Sequence, residues 1–123
     1  MQMGAAGGKH ILVVDDDPAV REIMRQDLTM EGHSVSQAAD GAEALALFSS
    51  DPFDLVITDY EMPGMKGDAL VDKVRQLVPG QRIIMVSANW PKLGSSLSKV
   101  NLCIDKPFQL SELLLAVRRV LQG

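Results

Sequence analysis

Two kinds of hydrophobic pattern alternate along this chain of 123 residues. Short runs typical of strands occupy residues 11–14, 33–38, 55–57, 82–86 and 102–104. Between these runs, apolar residues recur every three or four positions, which indicates amphipathic helices. The helical stretches begin after Asp17, after Asp40, near Asp68 and near Ser111. Residues 89–100 are rich in Pro, Gly and Ser and predict at most a short or irregular fourth helix.

Strict alternation of strand and helix is the pattern of consecutive βαβ units. The sequence therefore predicts an α/β domain with a doubly wound sheet of five parallel strands in flavodoxin-like order and right-handed crossovers. The run at 33–38 is partly polar, so we expect that strand near an edge of the sheet. Pro18 suits the first turn of a helix, which makes Asp17 its N-cap, and Gly32 follows its end.

The helical periodicity also predicts which side chains face the core. They are Val20, Ile23, Met24 and Leu28 on the first helix, Ala44, Leu45 and Phe48 on the second, Leu70, Val71, Val74, Leu77 and Val78 on the third, and Leu110, Leu113, Leu114, Val117, Val120 and Leu121 on the last. In the fifth strand, Cys103 is predicted to be a small buried hydrophobic residue.

Composition excludes several classes of protein. A chain of this length with 46% hydrophobic residues suits one globular domain. A net charge of -4 argues against direct nucleic-acid binding, which requires a basic face. Cys103 is the only cysteine, which rules out an intramolecular disulfide and favours a reducing cytoplasm. The apolar runs are too short to span a membrane, and residues 1–9, which lack a signal-peptide core, are expected to form a flexible tail.

Polar side chains follow the predicted strands at the point where each strand ends. Asp15 and Asp16 follow the first strand, Asp59 follows the third, Ser87 the fourth and Lys106 the fifth. Because the carboxyl ends of parallel strands meet at one edge of a sheet, where open α/β sheets bind ligands, we expect these side chains to converge.

This combination of residues has a chemical consequence. Clustered carboxylates repel one another by about 4 kcal/mol per close pair at an effective dielectric of about 20, so the cluster requires a cation or raised pKa values. Oxygen ligands without His or Cys favour Mg²⁺, and Mg²⁺ beside a spare carboxylate suggests phosphoryl chemistry there. Lys106 would supply a positive charge for one phosphoryl oxygen, and Ser87 a hydroxyl donor for another.

With these motifs in place, the sequence resembles the receiver domains of two-component response regulators, the CheY-like superfamily. The resemblance extends from about His10 to Leu121 and depends on ILVVDDDP, LVITDYEMPG, IIMVSA and DKPF occurring in this order. It implies a CheY-like (βα)5 fold for residues 10–123. It also implies that Asp59 accepts a phosphoryl group from a histidine kinase or a histidine phosphotransfer protein.

The same resemblance implies roles for the neighbouring residues. Asp15, Asp16, Asp59 and the backbone carbonyl of Glu61 would hold Mg²⁺. Ser87 would be the switch hydroxyl and Lys106 would contact the phosphoryl group, with a cis peptide bond between Lys106 and Pro107. Such a domain is not an enzyme in the usual sense, because it catalyses only its own phosphoryl transfer and autodephosphorylation.

The sequence departs from the family at two places. The position three residues before Lys106, where receiver domains usually have a switch aromatic residue, is Cys103, and the interval from Ser87 to Lys106 is shorter than usual. The side chain of Glu61, two positions after Asp59, adds negative charge near the entering water or phosphodonor and is interpreted as a modulator of rate.

Two other functions stay open. The chain could serve as a docking or dimerisation module that takes no phosphate, or as a small aspartyl-phosphate hydrolase of the haloacid-dehalogenase type. The hydrolase is disfavoured because that class has its nucleophile after the first strand, in a D-x-D arrangement, whereas the candidate here is Asp59. The sequence also leaves open whether the chain forms a homodimer. It identifies neither the cognate kinase nor the output.

Overall fold

The structure, a computed structural model, describes residues 8–88 and 98–122. The chain order of the described elements is β1 (His10–Val14), α1 (Pro18–Met30), β2 (Ser34–Ala38), α2 (Gly41–Ser50), β3 (Leu55–Asp59), α3 (Gly67–Leu77), β4 (Ile83–Ser87), β5 (Leu102–Asp105) and α4 (Leu110–Gln122). The predicted tail, residues 1–9, and the irregular stretch at 89–100 fall mostly outside the described residues.

The five strands form one sheet in the order β2-β1-β3-β4-β5, and all four pairings are parallel. This order confirms the doubly wound, flavodoxin-like prediction. It also confirms that β2 lies at an edge. The strand order reverses between β1 and β3, and ligands of open α/β sheets bind at the carboxyl ends of strands beside such a reversal.

Two predicted helix starts are confirmed by their hydrogen bonds. The Asp17 carboxylate accepts from the amide of Ala19 at 2.9 Å, and the Asp40 carboxylate accepts from the amide of Glu43 at 2.8 Å. Each satisfies an amide that has no partner within its helix. At the far end of α1, Gly32 has a φ of 99°, a conformation that glycine adopts with little strain.

The sheet separates two apolar cores. One core lies against α2 and α3 and receives Leu12, Val14 and Val56 from the strands. The other lies against α1 and α4 and receives residues of the opposite parity, among them Ile11, Val13, Leu55 and Ile57. Alternate side chains of a strand point to opposite faces, so each central strand contributes to both cores.

Some side chains predicted to face the core are exposed instead. Leu77 and Val78 are 57% and 43% exposed, because α3 ends at Leu77 and the chain then leaves the sheet. Ile23 and Leu110 are 48% and 36% exposed, and both line a cavity between α1 and the segment that leads into α4. Cys103 is half-buried rather than buried, since β5 is an edge strand with a neighbour on one side only.

Within the described part of the chain, no helix combines the length and apolar character needed to cross a membrane.

Candidate functional site

The polar residues predicted at the strand ends do converge. Asp59 and Ser87 are the last residues of β3 and β4, while Asp15 and Lys106 directly follow β1 and β5. Carboxylate oxygens of Asp15, Asp16 and Asp59 lie within 4.8 Å of one another. The Lys106 ammonium nitrogen lies 3.1 Å from Asp59 Oδ2 and 3.5 Å from Asp15 Oδ2. Two of the three carboxylates, those of Asp15 and Asp59, therefore share one ammonium group at this edge of the sheet.

Backbone and side-chain contacts fix Asp15 in a buried position. Its amide donates to the carbonyl of Ala38, and its Oδ1 accepts from the amide of Asp17 at 2.9 Å. The guanidinium of Arg21, one turn into α1, donates to the Asp15 carbonyl at 2.6 Å. The sequence gives no signal for Arg21, because an arginine on an amphipathic helix has the pattern of an ordinary solvated charge. Asp16, by contrast, is exposed and closes the cluster on the solvent side.

The start of α3 lies directly against the backbone at the end of β3. The amide of Gly67 donates to the carbonyl of Tyr60 at 3.0 Å. A Cβ atom at Gly67 would lie 2.6 Å from the Asp59 carbonyl oxygen and 2.8 Å from Tyr60 Cα. Only glycine allows the helix to approach the end of β3 this closely. The intervening loop turns at Gly64, whose φ is 76°.

Burial dominates the electrostatics of the cluster. It raises the pKa of Asp59 to about 6, because Lys106 offsets only part of the cost of burial and both Asp15 and Glu61 add to it. Burial also disfavours the charged form of Lys106, but Asp59 and Asp15 outweigh that effect and raise the Lys106 pKa. A single ammonium group therefore does not neutralise the site.

The same cluster fits a hard divalent cation. Asp59 Oδ1 is buried and, among the described residues, has no hydrogen-bond partner, and Asp15 Oδ2 has only its ion pair with Lys106. Such orphaned carboxylate oxygens are costly unless a cation binds them. The donor atoms are all carboxylate oxygens, which is the chemistry that Mg²⁺ prefers.

Ser87 and Glu61 contact each other at the same edge of the sheet. Ser87 is 1% exposed, and its hydroxyl donates to Glu61 Oε1 across 3.4 Å. The Ser87 carbonyl accepts from the amide of Lys106 at 3.0 Å, which ties the ends of β4 and β5 together. The Lys106–Pro107 peptide bond is cis, as the resemblance implied. The contact between Ser87 and Glu61 has no local sequence signal, because the two residues are 26 positions apart.

Comparison with known families decides what kind of domain carries this site. Residues 11–118 match the model of the response regulator receiver domain. The chain belongs to this family. Receiver domains are signalling modules of two-component systems rather than classical enzymes. The match to the family model and the similar solved structures confirm the expected family and fold class.

Sequence relatives of this receiver domain are regulators of greater length. Response regulator MprA of Mycolicibacterium vanbaalenii is 38% identical over 116 residues, which are 91% of this chain and 50% of that protein. Transcriptional regulatory protein GlrR of Escherichia coli K12 is 39% identical over 80 residues, which are 65% of this chain and 18% of that protein. The receiver domain thus spans at most half the length of these two relatives.

Solved structures share the fold over nearly the whole chain. The response regulator TrrA of Thermotoga maritima, solved in complex with Mg(2+)-BeF, has a TM-score of 0.84 and 35% identity, covering 91% of this chain and 98% of that one. A CheY-like receiver domain protein of Methanospirillum hungatei has a TM-score of 0.86 and 33% identity, covering 93% and 94%.

Proposed function

We propose that residues 10–123 form a phosphoacceptor receiver domain, in which Asp59 takes a phosphoryl group from a histidine kinase or a histidine phosphotransfer protein in the cytoplasm. The observation that carries this proposal is the Asp59 carboxylate itself. One oxygen is ion-paired with Lys106, and the other is buried without a hydrogen-bond partner among the described residues. The carboxylate lies at the end of β3, where ligands of such sheets bind.

The proposed reaction uses the ionised form of Asp59. A carboxylate oxygen attacks the phosphorus, a phosphorus–oxygen bond forms, and the bond between phosphorus and the donor histidine nitrogen breaks with its electron pair going to that nitrogen. The Lys106 ammonium group is placed to balance the charge on the phosphoryl oxygens, and the Ser87 hydroxyl to donate to one of them. Because the Lys106 ammonium group is already in contact with Asp59, it needs little rearrangement during the transfer.

Mg²⁺ fits the carboxylate cluster and is part of the proposal. Asp15, Asp16, Asp59 and the Glu61 carbonyl would hold it, and its charge would shield the carboxylates from the incoming phosphoryl oxygens. The complex of TrrA with Mg(2+)-BeF supports this assignment, since that domain shares the fold at 35% identity.

Mass spectrometry tests the phosphoacceptor. We expect incubation with Mg²⁺ and acetyl phosphate to add one phosphoryl mass to the unmodified chain, and Asp59→Asn to remove that addition. Asp51→Asn, which changes an exposed carboxylate just after α2, is the matched control and should label normally. Labelling that persists in Asp59→Asn would contradict the assignment. No labelling of the unmodified chain would favour a docking module, and turnover of a generic phosphate ester would favour a hydrolase.

An apolar cavity beside the site supports delivery by a protein partner. It has a volume of about 510 Å³ and is lined by Lys106 together with apolar residues of α1 and of the segment into α4, including Ile23, Phe108 and Leu110. A group that enters this cavity is in contact with Lys106, and Lys106 contacts Asp59. This continuity supports docking of the phosphodonor protein at the cavity, with its histidine facing Asp59.

Replacing Ile23 tests that surface. We expect Ile23→Asn to slow transfer from a histidine-phosphorylated partner about tenfold, because it removes an exposed apolar contact worth about 1.4 kcal/mol. Labelling by acetyl phosphate should not change, since that donor needs no protein surface. Leu115→Asn is the control, because Leu115 is 63% exposed on α4 and does not line this cavity. Equal slowing by both variants, or by both donors, would argue against the assignment.

A further inference from the structure

The Ser87 hydroxyl is engaged by Glu61 in the resting receiver domain. Glu61 lies in the loop after β3, and its exposed side chain reaches the buried hydroxyl at the end of β4. At 3.4 Å the hydrogen bond is long, since such bonds cluster at about 2.7–2.8 Å, but its acceptor is charged. The pair thus forms a weak link between the ends of two neighbouring strands.

A serine hydroxyl has one proton to donate. In the proposed function, Ser87 gives that proton to an oxygen of the phosphoryl group on Asp59. While the hydroxyl donates to Glu61 it cannot also donate to the phosphoryl group, so one hydrogen bond must break before the other forms. The phosphorylated state therefore bears the cost of releasing Ser87 from Glu61.

We propose that Glu61 is a positioning residue that restrains the Ser87 hydroxyl and thereby lowers the affinity of the site for a phosphoryl group. This inference rests on the proposed function, because it concerns the same site. It goes further by naming a side chain of this chain that sets how easily the phosphorylated state forms. The backbone carbonyl of Glu61 is a separate group, and a change of the side chain leaves it in place.

Exposure of Glu61 limits the size of the effect. Its carboxylate is hydrated again as soon as it releases Ser87, so most of the lost interaction is recovered from water. We therefore expect changes in affinity of a few fold to about tenfold, which corresponds to at most about 1.4 kcal/mol.

A second account is that Glu61 acts by charge alone, repelling the phosphoryl oxygens through space. The two accounts differ in what Gln and Ala do. Gln removes the charge but keeps an acceptor oxygen, whereas Ala removes both. Action through Ser87 predicts that Glu61→Ala has the larger effect, and charge alone predicts equal effects. Charge alone also predicts an effect that does not depend on the Ser87 hydroxyl.

Titration calorimetry with beryllofluoride, a phosphoryl mimic, in saturating Mg²⁺ separates these accounts. We expect the dissociation constant to fall about threefold in Glu61→Gln and about tenfold in Glu61→Ala. In a Ser87→Ala background, both gains should shrink to less than about twofold, as a double-mutant cycle requires for coupled residues. Asp105→Asn is the matched charge control, because Asp105 is exposed and pairs with Ser87 across β4 and β5, and it should leave the dissociation constant unchanged.

Each outcome bears on the inference. Equal gains in the two Glu61 variants, no gain in either, or gains that persist in full without the Ser87 hydroxyl would overturn it. If Ser87→Ala binds too weakly to titrate, the difference between Gln and Ala decides alone. Normal labelling of Asp59 with no effect of Glu61 would overturn this inference and leave the proposed function standing. A chain that binds no beryllofluoride would overturn both.

Discussion

Two properties of Asp59 conflict with each other. To act as the proposed phosphoacceptor it must be ionised, yet its side chain is 3% exposed and burial raises its pKa to about 6. Lys106 alone does not remove that cost, since it is shared with Asp15. The carboxylate is therefore less stable in its charged form in the folded state than in the unfolded chain.

This cost predicts a pH-dependent effect of Asp59→Asn on stability. Because the folded-state pKa lies above the ordinary value of 3.8, the folded protein binds more protons than the unfolded chain between about pH 4 and 6, and its stability falls as pH rises through that window. In EDTA, Asp59→Asn should be more stable than the unmodified domain by about 2 kcal/mol at pH 7.5, and the gain should vanish near pH 4. Urea unfolding at both pH values measures it. A gain that is equal at both would contradict this origin.

Residues of the site differ in how well the sequence predicts their position. The sequence predicts that four residues converge, because each follows a predicted strand and the end of an apolar run marks the end of a strand. These residues are Asp15, Asp16, Asp59 and Lys106. Side chains that reach the site from elsewhere carry no such mark. The contacts of Arg21 with Asp15 and of Glu61 with Ser87 depend on loop and helix geometry, which no local pattern encodes.

At the scale of elements, the geometry of the site depends on how close the first residue of α3 lies to the end of β3. Gly67 is the contact point, because a side chain there would meet backbone atoms of Asp59 and Tyr60 rather than a flexible side chain. Backbone atoms in a central strand cannot move without disturbing the pairing of β3 with its neighbours. The position of α3 is thus coupled to the position of Asp59.

Gly67→Ala should therefore destabilise the domain by about 1–3 kcal/mol, the usual cost of overpacking, and should also slow labelling of Asp59. Gly80→Ala is the control. A Cβ at Gly80 meets no atom within 4 Å, and its φ is not positive, so the change should be neutral or slightly stabilising. Chemical denaturation and acetyl-phosphate labelling measure the two effects. Equal stability of both variants would show that α3 can shift without cost.

The sequence predicts the positions of the helices better than it predicts which of their apolar side chains are buried. Apolar spacing located the four described helices, but it assigned Ile23, Leu77 and Val78 to the core, where the structure has them exposed. Periodicity gives the direction of a side chain relative to its own helix. It does not say where the neighbouring element stops or leaves a gap. The helix α3 ends at Leu77, and Ile23 lines the cavity beside the segment that leads into α4.

At the scale of the whole molecule, a cation bound by the carboxylate cluster should stabilise the fold, because the ligands come together only when β1 and β3 pair. At ten times its dissociation constant, Mg²⁺ should add about 1.4 kcal/mol to the free energy of unfolding and raise Tm by several degrees. The shift should shrink in Asp16→Asn and remain in Asp51→Asn. Thermal unfolding with and without millimolar Mg²⁺ tests it, and an equal shift in Asp16→Asn would place the metal elsewhere.

Because one sheet separates two cores, β3 tolerates substitutions in evolution better than insertions or deletions. Leu55, Ile57 and Asp59 share one parity along β3, so Asp59 faces the same side as the core of α1 and α4. Exchanging one apolar residue for another preserves that parity. Gaining or losing a single codon within β3 would reverse it and turn Asp59 toward the opposite core. The strand can therefore drift in composition while its length stays fixed.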